Sequence, residues 1–434
     1  MSTKVHVHLF YGADPRFYRK GDNIGCLYGY HHAESDDFAL TYSQDARENA
    51  PVRLLRRGLK AVLGFDLIHT LRNRAEIVRS DVIWTHTEHE YLSVALVLLL
   101  SGRREAPPLL LAQSVWLLDK WPGYGMVRRW LYRKLIARAD VLTTLASENA
   151  ELCERYLGRK ATHVYYGLNT GDFPVQVPHA WQPHSPVRIA AIGNDRDRDW
   201  ETLIKAFGND ARYTVKLATR RRIPTTLRAS NVEIAPAAGL KKARELYDWA
   251  DVVLVPLRPN SHASGITVML EAAALGKPMV ATNVGTLDDY FSRSAAAYVP
   301  PFNPPALREA VDRLVASPGD ALRQAQAAAE ELLSRDLTTR QFAMQHVRIT
   351  EELLRRQASP RGLPVEEALA SRAVRPQPAQ QAQRQAGAPA HGAAQAPDQT
   401  NAQTAAQATR HTPTHGPARA PTPVRAHSQS RGGL

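Results

Sequence analysis

Short apolar runs alternate along the chain with stretches in which apolar residues recur every three or four positions. The runs Val5–Phe10, Phe38–Tyr42, Val82–Thr85, Leu109–Ala112, Val141–Leu145 and Thr162–Tyr166 predict strands. Helical spacing fills the gaps at Val52–Leu63, Tyr91–Leu100, Met126–Arg138 and Ser147–Leu157. A proline-rich break follows, with Pro174, Pro178, Pro183 and Pro186. The alternation then resumes. Strands are expected at Val187–Ile192, Tyr213–Leu217, Val232–Ile234, Val252–Pro256 and Met279–Thr282, and helices at Thr202–Phe207, Ala243–Ala250 and Thr267–Leu275. This order predicts an α/β protein of two similar units, residues 1–178 and 186–337, facing a cleft. A helical stretch, residues 338–357, is expected to cross back to the first unit.

Composition changes this picture at the C-terminus. Residues 359–434 are rich in Ala, Gln, Pro, Thr and His and poor in large apolar side chains, so they predict a disordered tail. The formal net charge is +13, and seven arginines against one aspartate in 372–434 supply about half of it. Such a balance favours anionic partners: phosphate-rich substrates or an anionic membrane surface. No zinc-finger spacing or aromatic RNA-binding motif is present, which argues against nucleic acid. Cys26 and Cys153 make no metal-ligand spacing, and a reducing cytoplasm is the expected compartment. The longest uncharged apolar run, Tyr91 to Gly102, is well short of the ~20 residues that span a bilayer. Membrane contact, if any, is expected to be peripheral, on the inner face.

The most informative segment is Val252 to Thr282. It reads as a buried strand, a polar turn containing Ser264-Gly265, a helix, a Gly276-Lys277-Pro278 stop and a second buried strand. Gly265 lets the backbone approach a ligand closely. The amides of Ile266, Thr267 and Val268 then face outward at a helix N-terminus, a ready anion site. Glu271 lies six residues after Gly265, where its carboxylate reaches a ribose beside bound phosphates.

This segment resembles the donor-binding signature of family 4 glycosyltransferases, the glycosyltransferase group 1 type. The resemblance implies the GT-B fold, two Rossmann-like domains around a cleft, and transfer with retention of anomeric configuration. It implies that Glu271 grips the donor ribose and that Gly265, Ile266 and Thr267, with Ser264, hold the diphosphate. The first glutamate of the family pattern falls on Ala263, which places His262 beside the transferred sugar. In Gly193–Phe207, Arg198 and Arg196 match the cations that clamp the leaving diphosphate; the alternative is that they pair on the surface with Asp195, Asp197 and Asp199. Ala238, Gly239 and Leu240 match the loop that holds the nucleotide base. No metal is expected, because such enzymes handle diphosphate with amides and cations.

The first unit matches less of the pattern. Gly12 stands for the family's glycine loop near diphosphate and acceptor. The strand at Leu109–Ala112 runs into Gln113-Ser114, where the family has a histidine. His86, Glu88 and His89 follow another strand and either line the acceptor side of the cleft or form a polar surface turn. On Val52–Leu63 the residues Leu54, Leu55, Leu59, Val62 and Leu63 are expected on one face, with Arg53, Arg56, Arg57 and Lys60 on the other. A second basic stretch, Arg128 to Arg138, contains Trp130 and Tyr132. These helices either pack their apolar faces on the sheet or sit on an anionic membrane.

The expected function is transfer of a hexose from a UDP- or GDP-sugar to a saccharide or lipid-linked acceptor, in surface polysaccharide or glycolipid synthesis. The alternatives are a catalytically inactive GT-B scaffold, prompted by Ala263, and a GT-B sugar-nucleotide epimerase.

Overall fold

A computed structural model describes residues 2–18, 27–102, 107–236 and 239–358. The tail expected to be disordered, residues 359–434, and Ala238 of the base-holding loop lie outside them.

The first sheet contains β1 (Thr3–His8), β2 (Phe38–Tyr42), β3 (Val82–Thr85), β4 (Leu109–Ser114), β5 (Val141–Thr144) and β6 (Ala161–His163). Its order is β2-β1-β3-β4-β5-β6, and every pair is parallel. The second contains β7 (Val187–Ile192), β8 (Tyr213–Ala218), β9 (Val232–Ala235), β10 (Val252–Val255), β11 (Met279–Thr282) and β12 (Ala297–Val299), in the order β12-β11-β10-β7-β8-β9. It too is parallel throughout. The central strands β3, β4, β10 and β11 are buried along their whole length, which is why they read as unbroken apolar runs. The chain is therefore α/β with two Rossmann-like lobes around a cleft. In each sheet the strand order reverses beside the first strand, at β1/β3 and at β7/β10. Crevices at the carboxyl ends of strands open at such points.

Two stretches of chain join the lobes, and they run side by side. The Leu168 amide donates to the Leu337 carbonyl and the Thr339 amide to the Leu168 carbonyl, both at 2.9 Å. A Cβ on Gly167 would lie 2.0 Å from the Thr338 carbonyl oxygen, so glycine is needed for this approach. The last helix, Thr339–Ala358, then lies on the first lobe. Trp84 Nε1 donates to Thr350 Oγ1 at 2.9 Å, and Phe342 and His346 pack against Tyr30.

Of the two seatings open to the basic helix, packing of Leu54, Leu55 and Val62 on the sheet is not the one adopted. Helix Ala50–Leu63 buries Arg56 and exposes Leu54, Leu55 and Val62. Acidic residues outside the helix cause this inversion. Arg56 Nη1 lies 2.6 Å from Asp66 and Nε 2.9 Å from Glu48, and the guanidinium covers the Tyr11 ring. A buried cation paired on two sides stays inside at the expense of the leucines, which turn outward.

Candidate functional site

The loops after β7 and β10 flank the switch point of the second sheet and are stitched together. The Asp199 amide donates to the Pro256 carbonyl, and the Arg258 amide to the Asp197 carbonyl. Gly265 caps helix Ile266–Ala274 with φ +86°. A Cβ there would meet Val255 Cγ1 at 2.5 Å and Arg198 Nη1 at 2.8 Å. Gly193 is as tightly constrained, since its Cβ would lie 2.0 Å from Arg198 Nε. Two glycines thus make a slot for the Arg198 side chain, which is 1% exposed. Its Nε lies 3.0 Å from Asp195 Oδ2, yet Nε and Nη1 have no hydrogen-bond acceptor among the described residues. Burial pushes the Asp195 carboxyl up, but Arg198 and His262 outweigh it and hold it below its ordinary range.

At the helix start, the Ile266 amide donates to the Ala263 carbonyl, so it does not face outward as expected. That leaves Thr267 and Val268 as the amides offered by the first turn. The Ser264 hydroxyl donates to Asp195 at 3.1 Å. Glu271 is fully buried one turn deeper, and its Oε2 accepts from the Tyr247 hydroxyl at 2.5 Å. Burial, followed by the charge and hydrogen bond of Glu271, holds the Tyr247 hydroxyl well above its ordinary pKa, so Tyr247 is the donor.

His262 lies at the boundary of the two lobes. Its Nδ1–H donates to Asp119 of the first lobe, and its Nε2 stands 3.6 Å from Asp197. Nε2 is buried with no hydrogen-bond partner among the described residues. Asp119 also accepts from the Ser261 amide at 2.8 Å and the Ser261 hydroxyl at 2.7 Å. Burial pushes Asp119 up, but the hydrogen bond and charge of His262 and the bonds from Ser261 outweigh it, and the carboxyl titrates below its ordinary range. On Asp197 burial wins over the attraction of His262 and Arg196, and its pKa is raised.

Between the lobes lies a cavity of about 50 Å³, lined by Tyr28, His86 and Trp116 on one side and His262, Ser264 and Thr267 on the other. That holds a few waters at most, against the ~300–1,000 Å³ of ligand sites. In this conformation the cleft is shut. His86 stacks on Tyr28 with ring centroids 3.4 Å apart. The Gln113 amide donates to the His86 carbonyl at 2.9 Å, and His86 Nδ1 lies 3.0 Å from the Tyr30 hydroxyl and 3.3 Å from the Gln113 amide.

The structure thus gathers His86, His262, Ser264, Ile266 and Thr267 at one cavity, with Arg198 and Glu271 behind it. The other candidates lie elsewhere. Arg196 is exposed and its Nε lies 3.6 Å from Asp197. The Gly12 amide donates to Asp45 at 2.9 Å, away from the cavity. Glu88 is buried and accepts from the amides of Val115 and Trp116, fixing the end of β4. His89 donates to the Gly64 carbonyl at 2.5 Å. Gly239, with φ +98°, and Leu240 open the helix Leu240–Trp249 and do not line the cavity. Asp119, Tyr247, Trp116 and Tyr28 were not foreseen. They reach the site from distant segments, and no local spacing marks them. Among the described residues no group of three His, Cys, Asp or Glu side chains is arranged to hold a metal.

Two parallel lobes closing on a loop that precedes a helix N-terminus define the GT-B architecture. Residues 175–317, most of the second lobe, match the family described as Glycosyl transferases group 1. No curated protein sequence matches the chain. Among solved structures, sucrose-phosphate synthase from Thermosynechococcus elongatus is similar, with TM-score 0.60, 16% identity, and 82% of this chain and 100% of that one covered. HepE from Anabaena, solved with UDP and glucose, gives TM-score 0.58 and 13% identity over 80% of this chain and 99% of that one. The α,α-trehalose 6-phosphate synthase of Burkholderia multivorans gives 0.55 and 12%, covering 87% and 100%. At these identities the likeness is one of fold.

Proposed function

We propose that the chain is a retaining glycosyltransferase that moves a hexose from a UDP- or GDP-sugar to a saccharide or lipid-linked acceptor. The observation that carries this reading is Arg198. It is a buried guanidinium held between two glycines at a helix N-terminus, ion-paired to Asp195, with Nε and Nη1 making no hydrogen bond among the described residues. Leaving such donors unmatched is costly, and a diphosphate supplies acceptors of the right charge. The family match over residues 175–317 supports the same reading.

In the proposed reaction the bond between the anomeric carbon and the phosphate oxygen breaks, and its electron pair leaves with the diphosphate. Arg198 and the amides of Thr267 and Val268 offset that developing charge. Glu271, oriented by Tyr247, grips the ribose. The acceptor hydroxyl enters from the side of His86 and Trp116, bonds to the anomeric carbon and passes its proton to the departing phosphate oxygen. His262 takes the place beside the sugar that Ala263 leaves without a carboxylate. Retention is what the family resemblance implies.

A thermal-shift screen with UDP, GDP and ADP tests donor binding, because a ligand bound only to the folded state raises its apparent stability. Arg198→Ala should lower turnover by about 10²–10³-fold, the range seen for loss of one charge-stabilising donor. Nucleotide-sugar binding without hydrolysis or transfer to any acceptor would favour the inactive-scaffold reading instead.

A further inference from the structure

We propose that the outward face formed by the helices Ala50–Leu63 and Met126–Ile136 docks on the surface of an anionic lipid bilayer. On the second helix Met126 is 88% exposed, Val127 81% and Trp130 62%. Leu54, Leu55 and Val62 on the first are each more than half exposed. The helices meet where Arg128 Nη2 donates to the Val62 carbonyl and the Tyr132 hydroxyl to the Leu63 carbonyl, both at 2.8 Å. This brings Val62 and the apolar residues of the second helix to one surface. Arg53, Arg57, Arg133 and Lys134 are exposed on the same two helices, and neither helix contains a single Asp or Glu.

Apolar tips clustered among cations and free of carboxylates suit one kind of partner. A protein core would leave the cations unmatched, and a polyanion would leave Met126, Val127 and Trp130 in water. A bilayer interface accepts both, with acyl chains for the tips and anionic headgroups for the cations. Tryptophan is itself favoured at that depth. Among the described residues no helix is long and apolar enough to cross a membrane, so the contact is superficial. The face also adjoins the cleft. The first helix ends at Gly64, whose carbonyl holds His89, and the His89 ring lies 6.2 Å from Trp116, which lines the cavity. The proposal rests on exposure and charge, and it stands or falls separately from the transfer reading.

Sedimentation of the full chain with vesicles tests it. The protein should bind phosphatidylcholine vesicles containing phosphatidylglycerol and not pure phosphatidylcholine, and added salt should weaken binding. A variant with Met126→Ser, Val127→Ser and Trp130→Ser should bind at least about tenfold more weakly. Arg53→Gln with Arg57→Gln should cost about fivefold per charge removed. All five positions are exposed, so the thermal midpoint should hold. The arginine-rich residues 372–434 remain in every variant. Undiminished binding by both variants would assign the attraction to that segment and overturn the proposal. So would equal binding to uncharged vesicles, or a wild-type dimer that the triple variant dissociates while lipid binding stays unchanged.

Discussion

Replacing Asp119 with alanine removes, in one step, the acceptor for two donors on the opposite lobe, the Ser261 amide and His262 Nδ1. It also removes one of two acceptors of a third donor, the Ser261 hydroxyl, which lies 2.7 Å from Asn149 Oδ1 as well. Two limits bound the cost. If the cleft stayed shut, a buried His262 would lose its charged partner, which costs about 3–5 kcal/mol. If the lobes part, water satisfies all three donors and only the net value of a charged hydrogen bond is lost, about 1.5–3 kcal/mol. The second route is cheaper, so the variant should open and not unfold. A bias of about 2 kcal/mol shifts the open-to-closed ratio roughly thirtyfold. Hydrogen exchange at residues 257–266 should accelerate by that factor, and the radius of gyration should rise, with little change in the thermal midpoint. Asp119→Asn keeps an oxygen for Ser261 and should fall between wild type and alanine. The pH dependence follows from the lowered Asp119 pKa. A depressed carboxyl contributes stability that is complete above its unfolded pKa of about 3.9 and is lost as pH falls through the folded value. The contact should therefore hold throughout the neutral range and release only in strong acid. Unchanged exchange at 257–266 in the alanine variant, or a fall in the global midpoint without a local change, would refute the reasoning.

Other substitutions probe single features. Gly265→Ala forces a positive φ and a contact of 2.5 Å with Val255, so it should cost about 1–3 kcal/mol in denaturant melts and abolish the nucleotide-induced thermal shift. Tyr247→Phe removes the hydroxyl bonded to Glu271 and should cost about 1.5–3 kcal/mol, with a larger effect on donor KM than on kcat. Burial raises Asp45 to about 6, so the folded state binds a proton more tightly than the unfolded chain, and stability falls as pH rises from about 4 to 6. Asp45→Asn keeps an acceptor for the Gly12 amide and should stabilise the protein at neutral pH by about 1–2 kcal/mol, an effect that vanishes below pH 4.

The strands were legible because parallel strands buried on both faces leave unbroken apolar runs, as in Val252–Val255 and Met279–Thr282. β12 was missed because it has three residues and lies half-exposed at a sheet edge. The seating of helix Ala50–Leu63 was not legible, since the carboxylates that draw Arg56 inward come from residues 48 and 66, outside the helical window. Gly265 and Glu271 could be placed because the geometry joining them is local to one helix. Asp119 could not: it touches His262 across 143 residues of sequence and sits on the four-residue helix Leu117–Lys120, which has no periodicity to read.

The pairing of Leu168 with Thr338 limits how the molecule can move. Lobes tied by a single thread of chain swivel in any direction. Here two threads are bonded edge to edge, and the Gly167 approach leaves no slack between them. Such a joint permits rotation about one axis, close to the line through these residues, and resists sliding and twisting. Opening about that axis would return His262 to Asp119 along the same arc, so registry across the cleft would be set at the joint. Gly167→Ala, which would force the two threads apart, should loosen the His262–Asp119 contact, read as faster hydrogen exchange at residues 257–266.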